Sequence, residues 1–89
     1  MTWRLTSPGR EYNRDEGVAI YFHPASGNTH LVSDLAASVL RVMAAGPLSN
    51  EDLVAFHAEA LAEVGATERP GLIDEILRDL AIIDLVERS

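Results

Sequence analysis

The apolar residues of this chain change their period once, at Ser33, and that change limits the fold more than any other feature. Ahead of Ser33 they recur at every second residue, the spacing of a strand with one buried face. Behind it they recur every three to four, the spacing of a helix. Val18, Ile20 and Phe22 alternate with Ala19, Tyr21 and His23, and a shorter run ends in His30, Leu31 and Val32. Pro24-Ala25-Ser26-Gly27-Asn28 supplies a turn between them, since Gly27 and Asn28 accept positive φ at little cost. With Trp3 and Leu5 in a first short run, the pattern predicts strands over about residues 2–6, 17–23 and 28–32, the last two as a hairpin. The polar segment from Ser7 to Glu16 reads as the loop between the first two.

Three helices are predicted after Ser33. Ser33 caps the first, over about 34–45, with Leu35, Val39, Leu40, Val42 and Met43 on its apolar face and Gly46-Pro47 as its stop. Ser49, followed by Glu51 and Asp52, starts a second over about 50–64, whose stripe runs through Leu53, Phe56 or His57, Ala60, Leu61 and Val64 to Gly65. Pro70 opens a third over about 70–81, presenting Leu72, Ile73, Ile76, Leu77 and Leu80. The tail from Ile82 to Glu87 reads as a last half-turn and a short strand. One α+β domain over residues 1–89 follows, winged-helix-like, with a three-stranded antiparallel N-terminal sheet, three helices and a short C-terminal strand or tail.

Size and charge narrow the function. A chain of 89 residues buries about 60 to 65% of its unfolded surface, so a modest core forms but a deep enclosed active site is hard to build. The absence of cysteine removes disulfides, thiolate metal sites and thiol catalysis and suits a reducing cytoplasm. No run approaches the roughly 20 apolar residues that cross a bilayer, and the N-terminus lacks a signal-like core, so a cytoplasmic protein without a membrane partner is expected. The net charge of -7 falls in the C-terminal half. The third helix and tail set Asp74, Glu75, Asp79 and Asp84 against Arg69 and Arg78, which repels a polyanion, and no nucleic-acid partner is expected.

The chemistry-bearing residues read as structural. His23 and His30 flank a turn but lack a suitably spaced third ligand, and His57 lies along a helical stripe, so neither metal nor cofactor is expected. No serine stands in a nucleophile elbow or beside a histidine in sequence, and no glycine-rich phosphate loop occurs. Glu59, Glu63, Asp74, Glu75 and Asp79 read as a solvated face. The expectation is a non-enzyme with no catalytic residue. What remains is the strand from Asn28 to Val32, which carries no proline and no charge beyond an imidazole to block further pairing. The residues alone leave three occupants open for that edge: an added peptide, the chain's own third helix, or a second copy in a homodimer.

Trp3, Gly17-Val18-Ala19-Ile20-Tyr21, Ser26-Gly27-Asn28-Thr29-His30-Leu31-Val32, Val39-Leu40 and Leu48-Ser49 ahead of Leu53 together resemble the PqqD-like peptide chaperones, also called RiPP recognition elements. The Ser-Gly-Asn-Thr-His-Leu-Val run is similar to the Ser-Gly-Asp-Thr-His-Leu-Leu of the branch labelled the HPr-rel-A system, with Asn28 standing where that branch has Asp. The resemblance implies a winged-helix-like domain that binds the leader of a precursor peptide as an extra strand, in a groove between the third strand and third helix, and presents it to a modifying enzyme, here an HPr-kinase-related one. It implies peptide-binding residues Thr29, His30, Leu31 and Val32 on the strand. The groove wall would come from some of Leu72, Ile73, Ile76, Leu77 and Leu80, whose groove-facing and core-facing stripes overlap on a short helix. Two other roles stay open: an accessory subunit docked stably on such an enzyme, and a degenerate DNA-binding winged helix.

Overall fold

The computed structural model describes residues 2–13 and 18–89. Its elements are β1 (Thr2–Leu5), β2 (Arg10–Asn13), β3 (Val18–His23), β4 (Asn28–Ser33), α1 (Asp34–Met43), β5 (Leu48–Ser49), α2 (Asn50–Phe56), α3 (Arg69–Ile82) and β6 (Val86–Arg88). The fold is α+β, with a three-stranded antiparallel sheet, three helices and a C-terminal strand, as the change of period predicts. Gly17, the expected start of the second strand, and residues 14–16 of the expected loop lie outside the described residues.

The strands pair differently from the simplest reading. The three-stranded sheet is β2-β3-β4, and its first member comes from the segment read as a loop. Arg10–Asn13 pairs antiparallel with β3 in the register Glu11↔Tyr21 and Tyr12↔Ile20. Its residues are polar enough to pass for a loop because Arg10 and Tyr12 face outward. β1 leaves this sheet altogether. It lies at the centre of a second one, β5-β1-β6, with Trp3 opposite both Leu48 and Arg88. Both chain ends are thereby tied into one ladder. Arg4 meets Glu87 across it at 3.2 Å, and the Arg88 guanidinium sits 5.3 Å from the centre of the buried Trp3 ring.

The helix starts follow the caps. The Ser33 hydroxyl accepts from the amide of Ala36 at 3.1 Å, and Ser49 with Asp52 completes a reciprocal capping box. α1 lays Ala36, Ala37, Val39, Leu40 and Met43 against β1, β3 and β4. The second helix stops at Phe56, a full two turns short of the expected 64, and turns carry residues 57–64. At its C-terminus the His57 ring turns inward and its Nδ1–H donates to the Leu53 carbonyl at 2.8 Å, and in the turns that follow Leu61 is buried in the core while Ala58, Ala60 and Ala62 are exposed. Of the two stripe candidates His57 is buried and Phe56 is exposed. α3 ends with Asp84 at φ 60°; Asp84 N–H bonds to the Ala81 carbonyl and Leu85 N–H to the Leu80 carbonyl. That is a Schellman close, and Leu85 is buried in the core with Leu80 as the motif favours.

Candidate functional site

β4 is an edge strand: among the described residues β3 is its only strand neighbour. In an antiparallel ladder every second residue turns both its N–H and its C=O away from the partner. β4 therefore presents a row of backbone donors and acceptors on the side away from β3. That side looks across a groove of about 220 Å³ to α3. Leu31, Val32 and Ser33 form the strand side, Ala36 the start of α1, and Ile76, Asp79, Leu80 and Ile83 the helical wall. The wall arises from helix periodicity, since residues 76, 79, 80 and 83 recur at three to four and share one face. All but Ser33 and Asp79 are apolar. Leu31 is 65% exposed, unusual for a leucine in a regular strand, so its side chain is left available at the groove mouth.

The structure separates the residues that the resemblance implied. Leu31, Val32, Ile76 and Leu80 line the groove. Thr29 and His30 lie on the same strand but nearer the turn, Thr29 exposed and His30 half-buried, and neither side chain lines it. Ile73 and Leu77 are a correction: both are 0% exposed and belong to the core, as does the half-buried Leu72 at its margin. The reason is geometric. Residues 73, 77 and 80 make one stripe facing the core, residues 76, 80 and 83 a second facing the groove, and Leu80 is common to both. Ser33, Ala36, Asp79 and Ile83 also line the groove; Ser33 is at the same time the cap of α1 and Asp79 an exposed acid, as their sequence positions suggest, and none of the four was expected at a groove. The available signal was the continuation of the 76–80 spacing to 83.

A larger cleft of about 630 Å³ lies between the β1–β2 connection, Tyr21 and the C-terminal end of α1. Its charged groups are already matched. Arg41 grips Glu11 at 2.5 and 3.2 Å, and this hydrogen-bonded contact raises the guanidinium above its ordinary range. Burial, then the Glu11 carboxylate, raises the Tyr21 phenol. Gly9 approaches the Tyr21 ring so closely that a Cβ there would collide with it. At the edge of this cleft the structure brings serines to histidine in a way that no sequence spacing suggested. Ser7 Oγ lies 2.7 Å and Thr6 Oγ1 3.2 Å from His23 Nε2, with Ser26 Oγ 3.0 Å from Nδ1. A hydroxyl rather than a carboxylate stands behind the ring, so nothing there stabilises an imidazolium as a catalytic triad requires. The cluster ties the β1–β2 connection to the hairpin. His57 makes a similar tie, to Ser38 on α1 at 2.9 Å.

Among the described residues both concavities border an edge strand, β4 at the smaller one and β2, through Glu11, at the larger. The polar groups at the larger cleft are engaged, Arg41 with Glu11 across it and Arg4, Thr6 and Ser7 with Glu87, Asp84 and His23 beside it, whereas the smaller groove is apolar save for Ser33 and Asp79. Compared with family models, curated proteins and solved structures, the chain matches none of them.

Proposed function

We propose that this chain is a non-catalytic adaptor that holds an extended peptide, the leader or substrate segment of a precursor, as an added strand on β4 and presents it to a modifying enzyme. The observation that carries the reading is the pairing of an open strand edge with an apolar groove walled by α3. Backbone pairing supplies affinity without sequence preference, and the groove supplies preference for apolar side chains at alternate guest positions. The resemblance to PqqD-like chaperones supports the same mode and points to an HPr-kinase-related enzyme as the partner.

The magnitudes fit a carrier that must release its cargo. About four ladder hydrogen bonds at a net 0.5 to 1.5 kcal/mol each and two apolar anchors at about 1.5 to 3 kcal/mol each give roughly 5 to 12 kcal/mol. Ordering a flexible guest removes about 2 to 5 kcal/mol, and association removes more. Micromolar or weaker binding is expected.

The test is selection from a displayed library of random twelve-residue peptides, followed by amide exchange on the recovered complexes. Alternate amides of Asn28–Ser33 should gain protection when peptide is added. Leu31→Glu, at a side chain exposed enough to leave folding intact, should weaken binding at least about tenfold by placing a charge at the groove mouth. Recovered peptides that leave β4 exchange unchanged, or that bind the Leu31→Glu protein equally well, would remove the strand-addition reading.

A second reading rests on Ile82, 79% exposed beside the groove but not lining it. Apolar surface extending past what one guest strand covers favours a subunit that docks stably on its enzyme without any peptide. A stoichiometric complex that purifies intact in the absence of peptide would select that reading.

A further inference from the structure

We infer that the groove selects a guest strand carrying a lysine or arginine in register with Asp79; the inference rests on the strand-addition reading above. Asp79 is the one charged residue lining the groove, and it stands in the middle of the apolar wall, three residues after Ile76 and four before Ile83. It belongs to none of the ion pairs among the described residues. The nearest arginine in sequence, Arg78, is held by Asp74 at 3.0 Å, and Arg69 donates to the Val64 carbonyl.

Three local features make the potential there negative. Glu75 stands one turn earlier on α3, a like-charge spacing that mildly destabilises a helix. Asp79 lies in the last turn of α3, near the negative end of the helix dipole, where the last turn carries no basic residue. Asp84 follows just past the helix end. Helix stability alone would place a cation at this position, so the carboxylate is not explained by the folding of α3.

A strand laid into the groove would cover the carboxylate. A wholly apolar guest would then strip water from an unpaired charge, and an acidic guest would add repulsion. A lysine or arginine resolves both, its methylene stem lying along Ile76 or Leu80 and its charged head on Asp79. The same argument disfavours a second copy as occupant. β4 reads Asn-Thr-His-Leu-Val-Ser and brings neither lysine nor arginine to the facing groove, and two copies each carry a net charge of -7.

The experiment uses the peptides recovered from the twelve-residue library. Those selected on the native protein should share a lysine or arginine at one fixed position, and changing that residue to alanine should weaken binding about five- to tenfold at low salt and less at high salt. Selection on Asp79→Asn should lose the fixed cation, and selection on Asp79→Lys should replace it with aspartate or glutamate. Peptides that protect β4 but show no charged position, or the same one on all three proteins, would overturn the cation preference and leave strand addition standing. Failure to recover any β4-protecting peptide would overturn both. So would a concentration-dependent dimer, seen by sedimentation, with β4 amides protected in the absence of peptide.

Discussion

Single residues in this protein act mainly by being placed where their neighbours change their chemistry. Tyr21 is buried beside Glu11, and both effects favour its neutral phenol. A phenol that ionises at higher pH when folded than when unfolded contributes fully below about pH 10. Above that the unfolded chain loses its proton first, so stability falls as pH rises towards the folded-state value. Tyr21→Phe should therefore leave urea stability at pH 7 within about 0.5 kcal/mol and shift the alkaline loss of structure, followed by circular dichroism, to higher pH. The alternation around Tyr21 was legible in the sequence, but its burial against Gly9 was not, because that contact depends on how the β1–β2 connection folds back.

At the scale of elements, α1 and α2 are joined through a polar tie as well as through apolar packing. His57 donates from Nδ1 to the Leu53 carbonyl, and its Nε2 lies in hydrogen-bond contact with the Ser38 hydroxyl at 2.9 Å. His57→Leu should cost about 1 to 2 kcal/mol and Ser38→Ala about 1 kcal/mol. The double variant should cost measurably less than their sum in urea denaturation, since each single change already breaks the shared bond. Additive losses would mean that the bond contributes nothing. The apolar spacing places both His57 and Phe56 on a helix, and only the neighbouring helix decides that the imidazole goes inside. α3 shows the same limit. Its length and start were readable from Pro70 and the spacing, yet the division between Ile73 and Leu77 inside and Ile76 and Ile83 at the groove comes from what packs on each side.

For the whole molecule, the second sheet holds the chain closed. β1 lies between β5 and β6, so residues more than 80 positions apart in the chain, such as Trp3 and Arg88, become neighbours. Trp3 is the largest side chain at that junction and is buried in the core. Trp3→Ala should cost about 3 to 5 kcal/mol, against a total of about 4 to 13 kcal/mol for a domain of this length. The variant is expected to be largely unfolded or shifted to a much lower urea midpoint by far-ultraviolet circular dichroism. A midpoint close to that of the native protein would show that the closing ladder is dispensable. The closure matters for the candidate site because α3 is followed directly by β6, and anchoring β6 on β1 holds the groove wall opposite β4.

By itself the sequence determined what depends on near neighbours: the switch from strand to helix at Ser33, the Ser33 and Ser49 caps, the Gly27 turn at φ 74°, and the acidic character of α3. These are set by side-chain period, cap chemistry and backbone sterics within a few residues. The tertiary structure alone decided that β2 exists, that β1 joins the chain ends instead of the hairpin, and that the exposed Asp79 looks onto a groove beside β4. Strand partnership and the choice between overlapping helix stripes depend on contacts distant in the chain, and no local pattern encodes which of several compatible surfaces will meet.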